Sequence, residues 1–338
     1  MSESTPEVLR DRWNTLREET PKLRIRDAAE QLGTSEAQLL ALGSGETSTR
    51  LRGDWVDLLL ELHRLGPLMG LTRNDHAVHE RHGGYGTQRI LGPTRLIEDG
   101  GFTVALFLEH WRHGFAVSES GHGQIRQSLQ FFDRWGHAVH KIYLTEHSRT
   151  EPFQDIVKAF RADDQGAGLS VEPPSSLQQA DTADRLWSRA VLANWPLTRD
   201  GAPPDSPDLA LDAPMAQARA LPVGAAETVL TLAAERGIDV AIAVGSRGAL
   251  QLHRGPIHKI LRTGPWINVL DEPFNLHLRD THIASGWQVQ EHGATGQDAL
   301  CWFDRQHQPI LQISSEDRSG HWAECVEAAC KPAREVAA

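Results

Sequence analysis

The sequence predicts an α+β fold with two homologous halves in tandem, each containing a large antiparallel β-sheet. A stretch of roughly 40 residues that begins at Phe102 recurs from Phe274, 172 residues further along the chain. In both copies apolar and polar residues alternate with a period of two, which is typical of strands with one buried face. The repeat is also too long for a solenoid or a propeller, whose units span about 20 to 50 residues. Two large, similar halves are therefore predicted.

The two copies share residue types as well as a pattern. Residues 102–108 correspond to 274–280, 114–117 to 286–289, and 127–134 to 298–305. The last of these pairs is offset by 171 residues, so a single one-residue gap aligns the copies. An Asp-Arg turn ends each third segment, and residues 138–144 and 309–313 supply a returning strand. Each copy is predicted to be a series of antiparallel hairpins.

Residues 6–65 are predicted to be helical. Leu9, Trp13 and Leu16 recur at helical spacing, and residues 25–40 give a helix, a glycine turn and a second helix that opens at Ser35. This segment resembles a helix-turn-helix, but its second helix offers Glu36 and no lysine or arginine, whereas attraction to phosphate needs cations. We interpret it as a helical cap on the first sheet, with DNA binding as the lesser alternative.

Strands are predicted from Leu71 onwards, with a glycine-rich hairpin connection at residues 83–86. Proline-rich irregular backbone marks residues 166–217 as a linker between the halves, with a helical pattern at 183–194. Further helix is predicted at 215–221 and 223–236, followed by the strands of the second half. The predicted domains are the first half at 1–165, the linker at 166–217 and the second half at 218–338.

Composition excludes several classes of function. The 338-residue chain has a formal net charge of −11, which argues against a surface that holds nucleic acid or anionic lipid. No apolar run approaches the ~20 residues of a membrane helix, and no secretory signal is present, so a cytoplasmic protein is expected. Cys301, Cys325 and Cys330 form neither a disulfide framework nor a zinc motif. Nucleophile-elbow, zinc-protease and phosphate-loop motifs are absent from the sequence.

Several motifs, in the same order along nearly the whole chain, resemble the bacterial haem-utilisation family of the HemS and ChuS type. They are Arg73-Asn74-x-x-Ala77-Val78-His79-Glu80, Leu106-Phe107-Leu108-x-x-Trp111, Ser128-x-Gln130-Phe131-Phe132-Asp133-x-x-Gly136, Val244-Gly245-x-Arg247-Gly248 and Trp266-Ile267-Asn268-Val269. The resemblance implies two stacked antiparallel sheets with helices at one end, and haem in a cleft between the halves. It also implies a role in passing haem to a haem oxygenase or in opening the ring.

The resemblance implies a haem pocket in which several family residues are replaced. The family's axial histidine on the inter-half helix corresponds to Asn194, and an amide is a poor ligand for haem iron. A family arginine is Ala105 here, and a tyrosine of the last strand is Ser314. A second arginine aligns with Asp317, although Arg318 follows it directly. Phe107 is retained, so the expected cofactor-binding set includes Phe107, Asn194 and Arg318.

Another histidine is therefore predicted as the iron ligand. His79 occupies a family position that implies a second haem contact and is the first choice, followed by His76 three residues earlier. The further candidates are His110, His113, His277 and His282. The expected function is binding and trafficking of haem or a related tetrapyrrole, with carriage ranked above degradation because the axial histidine is missing. The alternative is a haem-free family member that regulates through protein or DNA contacts.

Overall fold

The computed structural model describes residues 5–91, 94–121, 124–173, 218–222, 224–290, 298–306 and 308–331. Within this part of the chain the α-helices are α1 (Pro6–Glu19), α2 (Ile25–Leu32), α3 (Glu36–Ala41), α4 (Trp55–Glu61), α5 (Thr150–Ala159), α6 (Ala225–Arg236) and α7 (His321–Ala329). Short 3-10 turns lie at Leu62–Leu65, Leu108–His110 and Asp280–His282. None of the described helices is both long and apolar enough to cross a membrane.

Most of the remaining described residues form antiparallel strands. The strands of the first half are β1 (Ser48–Leu51), β2 (Leu68–Arg73), β3 (Ala77–Gly83), β4 (Gln88–Leu91), β5 (Thr94–Asp99), β6 (Phe102–Phe107), β7 (His113–Gly121), β8 (Gln124–Phe132) and β9 (Ala138–Leu144). Those of the second half are β10 (Ala218–Ala220), β11 (Val240–Gly245), β12 (Ala249–Gly255), β13 (Ile260–Thr263), β14 (Trp266–Leu270), β15 (Phe274–Arg279), β16 (Ser285–Gln290), β17 (Asp298–Phe303) and β18 (Pro309–Ser314). They form two nine-stranded sheets, which confirms the predicted fold class.

The described residues divide into two compact units that do not follow the order of the halves. The first unit contains residues 5–70, 84–86 and 107–173, and the second contains 71–83, 87–106 and the described residues from 218 onwards. In the first unit neighbouring strands follow the order β1-β7-β8-β9-β2, and β2 ends in the second unit. The second unit contains the run β3-β15-β14-β13 and the sheet β10-β16-β17-β18-β11-β12-β6-β5-β4. Strands β3 to β6 therefore belong to the same compact unit as the second half.

The repeat seen in the sequence reappears in the strand register. His79 of β3 faces Leu276 of β15, and Gln251 of β12 faces Val104 of β6. Position 251 is the repeat equivalent of position 79, and position 276 is the repeat equivalent of position 104, both at the 172-residue offset. The two strand pairings are therefore equivalent. The β-bulge after Phe131 in β8 also recurs after Trp302 in β17, at the 171-residue offset. Equivalent positions of the two copies thus make equivalent backbone contacts.

Alternating burial explains why these segments are strands. Residues of β15 alternate strictly between buried and half-buried, as expected for one face on a core, whereas all six residues of β11 are buried. In the second unit, helices α6 and α7 complete the core, through side chains such as Leu230 and Trp322. In the first unit, Phe115 and Phe132 of the sheet pack with Ala37 and Leu40 of α3. Each unit therefore has its own apolar core of helix on sheet.

Two short segments that were predicted to be helical are strands. Ser48–Leu51 pairs with β7, and Ala218–Ala220 pairs with β16. Both predictions were wrong because a four-residue or three-residue segment has little periodicity of its own, and pairing with a neighbouring strand decides its conformation. The two strands occupy equivalent places, at one end of the strand order in each sheet.

The glycines of the repeated Gly-aromatic motif permit close approach of an aromatic ring. A Cβ on Gly114 would lie 2.6 Å from Cη2 of Trp55, and Trp55 is held by a 3.0 Å hydrogen bond from its Nε1 to the carbonyl of Trp111. We expect Gly114→Ala to lower the free energy of unfolding by about 1–3 kcal/mol, the usual cost of overpacking. Urea unfolding followed by tryptophan fluorescence measures this change. Gly53→Ala is the matched control because no atom beyond its two chain neighbours lies within 4 Å of its Cβ position.

Candidate functional site

His79, the predicted iron ligand, lies in the interior of the second unit. It has no exposed surface. Its Nδ1 lies 2.9 Å from Nε2 of Gln251 on β12. The Oε1 of Gln251 in turn accepts a 2.9 Å hydrogen bond from the hydroxyl of Thr72 on β2. Because all three polar side chains are buried, these hydrogen bonds hold the His79 ring in one orientation.

The same contacts decide which nitrogen of His79 carries the proton. The Nε2 of Gln251 also lies 3.4 Å from the carbonyl oxygen of His79, which requires a donor and fixes the orientation of the amide. An amide N–H only donates, so Nδ1 accepts and the proton of the neutral ring is on Nε2. Neutral imidazole is the form that binds metals. Nε2 of His79 can bind one only after its proton moves to Nδ1 and Gln251 turns its amide.

Burial and nearby positive charge keep this ring neutral. Loss of solvation comes first, followed by the repulsion that a protonated His253 would exert, and both hold the pKa of His79 well below 6.5. His253 stacks on Phe274 with ring centroids 4.0 Å apart, and Phe274 also contacts the His79 ring at 4.8 Å. Burial, followed by the guanidinium of Arg81, lowers the pKa of His253 to about 4. The cluster therefore contains two neutral imidazoles that both contact one aromatic ring.

Gln251, His253 and Phe274 were not predicted as partners of His79. The repeat register was the signal that could have found them, since position 79 of the first copy corresponds to 251 of the second, at a separation of 172 residues. A position and its own repeat equivalent meet here. The hydrogen bond between His79 and Gln251 thus joins the two copies inside the second unit.

His76, the second candidate, lies between β2 and β3 and is partly exposed. Its ring stacks on that of His282, with centroids 4.7 Å apart and an interplanar angle of 23°. Its Nε2 lies 3.6 Å from Oδ2 of Asp304. The other oxygen of Asp304 accepts hydrogen bonds from the backbone of Gln306 and Gln308, which fixes the carboxylate. The structure thus brings two predicted histidines together with a carboxylate that the sequence analysis did not select.

The other three predicted site residues are Phe107, Arg318 and Asn194. Phe107, at the end of β6, is buried and belongs to the first unit. Arg318 is exposed between β18 and α7 in the second unit. Asn194 lies outside the described residues. The assignment of all five residues to a cofactor site stays a prediction.

The replaced family positions are described by the structure in part. Ala105 is fully buried in β6, opposite Leu250. Asp317 precedes α7, where the hydroxyl of Ser319 and the backbone N–H of Trp322 hold its pKa at about 2. The ionised carboxylate of Asp317 would repel the propionates of haem. The neighbouring Arg318 carries a positive charge that could attract them instead.

The remaining candidate histidines have local roles. The ring of His277 is hydrogen-bonded to the side-chain oxygen of Asn268 at 2.7 Å. His110 lies 3.8 Å from the carboxylate of Glu109. Burial, with Arg112 second, lowers the pKa of His113 to about 4. Among the described residues, no group of three or more potential ligands is arranged to hold a metal ion.

Comparison with known proteins identifies the family. The model of the haemin-degrading HemS.ChuX domain matches the chain twice, at residues 33–160 and 209–328. The chain belongs to this HemS family. It is 32% identical over 285 residues to the hemin transport protein HmuS of Yersinia pestis, with 80% of each protein covered. It is 31% identical over 281 residues to the hemin transport protein HemS of Yersinia enterocolitica, again with 80% of each covered.

Solved structures give the same result for the fold. Holo-PhuS, a heme-binding protein from Pseudomonas aeruginosa, is 33% identical, with 96% of this chain and 99% of PhuS covered and a TM-score of 0.82. The heme-degrading enzyme ChuS of Escherichia coli O157:H7 is 24% identical, with 96% and 100% covered and a TM-score of 0.78. The likeness to ChuS shows the fold alone. The predicted family is thus confirmed.

The described residues of this HemS-family chain fit haem in their chemistry. Nε2 of His79 is buried and makes no hydrogen bond of ordinary geometry among the described residues, although the backbone of Ile242 lies close to the ring. The apolar ring of Phe107 suits a porphyrin face, and the exposed guanidinium of Arg318 suits a propionate. The required residue types are therefore present, although Ala105 and Ser314 cannot supply the arginine and tyrosine that the family resemblance implied.

The helix-turn-helix segment of this HemS-family chain is packed as part of the first unit. Ser35 caps α3 through a capping box with Gln38, as the sequence pattern predicted. All residues of α3 except Gln38 are buried. The carboxylate of Glu36 lies 2.9 Å from Nζ of Lys141. A recognition helix must present its side chains to the major groove, and this helix presents almost none. Binding of DNA through α3 is therefore not supported.

Proposed function

We propose that the protein binds haem and carries it in cytoplasmic haem utilisation. The observation that supports this most directly is the similarity to holo-PhuS along 96% of the chain at 33% identity. The similarity to two proteins named for hemin transport points the same way. Haem or a related tetrapyrrole would be the ligand, and a haem oxygenase is the acceptor that we propose.

We place carriage above degradation. Asn194 stands where the family resemblance places the axial histidine, and an amide is a poor ligand for iron. Bound haem would supply an iron centre that can react with oxygen. The chain's own residues would orient the ring and exclude water. Incubation with ascorbate and catalase tests for ring opening, since catalase removes the peroxide that degrades haem without an enzyme.

His79 is the iron ligand that we propose, and His76 is the second choice. Ligation by His79 needs its proton on Nδ1, where a turned Gln251 amide would accept it through Oε1. Ligation by His76 would be favoured by Asp304, which lies 3.6 Å from the other ring nitrogen, because carboxylates orient metal-bound imidazoles in this way. Phe107 would contact the porphyrin face and Arg318 a propionate.

Titration of the metal-free protein with hemin tests the proposal. The wild type is expected to give a saturable Soret shift at about one equivalent, as single-site binding requires. His79→Ala is expected to weaken binding at least about tenfold, since the loss of even an outer-shell partner of a metal ligand costs that much. His147→Ala is the matched control because the His147 side chain is 74% exposed.

The outcomes separate ligand choice from function. Weak binding by His76→Ala with unchanged binding by His79→Ala would assign His76. Unchanged binding by both variants would place the ligand elsewhere. Absence of any Soret shift in the wild type would contradict haem binding, and retardation of promoter DNA by that same sample would support the regulator.

A further inference from the structure

A buried tyrosine and a buried histidine form a direct hydrogen bond in the first unit. Tyr85 lies between β3 and β4, and His140 lies on β9 opposite Phe131. The phenol oxygen of Tyr85 is 2.7 Å from Nε2 of His140. Each residue is only 1% exposed. The hydrogen bond is therefore short and shielded from water.

The charge states of both groups follow from their burial. Burial raises the pKa of Tyr85 well above 10 and lowers that of His140 to about 3. At neutral pH the phenol is thus protonated and the imidazole is neutral. Because a phenol O–H is a stronger donor than an imidazole N–H, we assign the phenol as the donor and Nε2 as the acceptor, which puts the imidazole proton on Nδ1. A neutral donor and a neutral acceptor thus lie 2.7 Å apart.

Two further oxidisable side chains continue from this pair. The ring of Trp111 is 6.3 Å from that of His140, and the ring of Trp55 is 6.5 Å from that of Trp111. Trp111 also stacks on Phe131 at 4.3 Å. Tryptophan and tyrosine are the side chains that lose a single electron most readily. An electron vacancy formed on either tryptophan would therefore have a route of short steps to Tyr85.

We propose that Tyr85 and His140 form a site of proton-coupled one-electron oxidation. Tyr85 gives one electron to an oxidant and passes its phenolic proton to Nε2 of His140. The products are a neutral tyrosyl radical, an imidazolium and the oxidant reduced by one electron. A one-electron reductant such as ascorbate returns the electron, and the proton returns from Nε2 to the phenol oxygen.

The buried location makes the nearby proton acceptor necessary. An oxidised phenol that kept its proton would be an unpaired cation in an apolar interior, which is costly. Because an oxidised phenol is a much stronger acid than imidazolium, even the weakly basic His140 accepts this proton. Burial also keeps the radical away from other molecules. The pair would thus take up oxidising equivalents and hold them until they are reduced.

The physiological oxidant that we infer is peroxide-activated haem, and this part rests on the proposed function. The site itself does not depend on haem. The experiment therefore uses the full-length, haem-free protein with a ruthenium polypyridyl photo-oxidant and persulfate as the electron acceptor. Failure here would overturn the redox site, whereas failure of the hemin titration would leave it standing.

The composition of the chain allows a clean assignment, because Tyr85 and Tyr143 are its two tyrosines. In a Tyr143→Phe background with ring-deuterated tyrosine, electron paramagnetic resonance is expected to show a tyrosyl signal narrowed by deuterium. Tyr85→Phe is expected to abolish this signal. His140→Gln keeps a hydrogen-bond acceptor but removes the base, and we expect it to lose most of the signal.

The opposite results overturn the proposal. Absence of a tyrosyl signal in Tyr143→Phe would show that Tyr85 is not oxidised, without any change to the pair itself. A signal of full size in His140→Gln would show that the imidazole takes no proton. Circular dichroism of each variant establishes that it is folded before the radical yields are compared, and the Tyr143→Phe result stands alone if the other variants fail to fold.

Discussion

Replacement of Lys141 by methionine is expected to lower the free energy of unfolding by about 3–5 kcal/mol, the usual cost of breaking a buried ion pair. Nζ of Lys141 lies 2.9 Å from Oε2 of Glu36, and the side chains are 8% and 7% exposed. Glu36 is in the first turn of α3 and Lys141 is on β9, so the pair joins a helix to the sheet. Without Lys141, the Glu36 carboxylate would remain buried and would lose the ammonium group that lies 2.9 Å away.

Two controls separate this effect from the loss of packing. The double variant Glu36→Leu with Lys141→Met is expected to recover most of the stability, because an apolar pair leaves no buried charge. Breaking the exposed pair Arg52–Asp54, whose side chains are 50% and 51% exposed, is expected to cost less than about 1 kcal/mol. Urea unfolding followed by circular dichroism measures all three changes. A loss of under about 1 kcal/mol in Lys141→Met would contradict the prediction.

Acid is expected to destabilise the protein steeply between pH 6.5 and about pH 4. Burial lowers the pKa of His140 to about 3 and that of His253 to about 4, and it holds that of His79 well below 6.5. In the unfolded chain these rings titrate near pH 6.5, so in this window the unfolded state binds more protons. The stabilisation that comes from keeping these rings neutral is therefore fully present above pH 6.5. The free energy of unfolding falls as the pH decreases, by up to about 1.4 kcal/mol per pH unit for each ring.

Urea midpoints measured at pH 7, 6 and 5 test this dependence. His253→Leu is expected to flatten the slope by up to about 1.4 kcal/mol per pH unit, because one buried titrating ring is removed. Gly53→Ala removes no titratable group and is the matched control, which is expected to leave the slope unchanged. Equal midpoints at pH 7 and pH 5 would show that these rings are not held neutral by the fold.

The sequence predicted those features that repeat or alternate. The offsets of 172 and 171 residues were found by aligning matching residue types in the sequence. They recur in the strand pairings and in the bulges after Phe131 and Trp302. The cap at Ser35 was also visible, because a capping box is local in sequence. Periodicity and capping are properties of one segment, so they can be recognised without knowing the rest of the fold.

The partners of each segment could not be predicted in the same way. An alternating strand shows which face is buried but not which strand lies beside it, so the grouping of β3 to β6 with the second half remained hidden. The partner of Glu36 is 105 residues away, and nothing near either residue indicates it. For the candidate site, His79 was selected by its motif, whereas the amide of Gln251 that sets its proton position is 172 residues away.

The grouping of early strands with late ones has a consequence for how the chain is made. Strand β6 pairs with β12, and β3 pairs with β15. Neither pairing can form until residues beyond position 248 have been synthesised. During translation their unpaired edges are open to wrong pairing, and such distant contacts form slowly. Newly synthesised protein is therefore expected to depend on chaperones until its last third has left the ribosome.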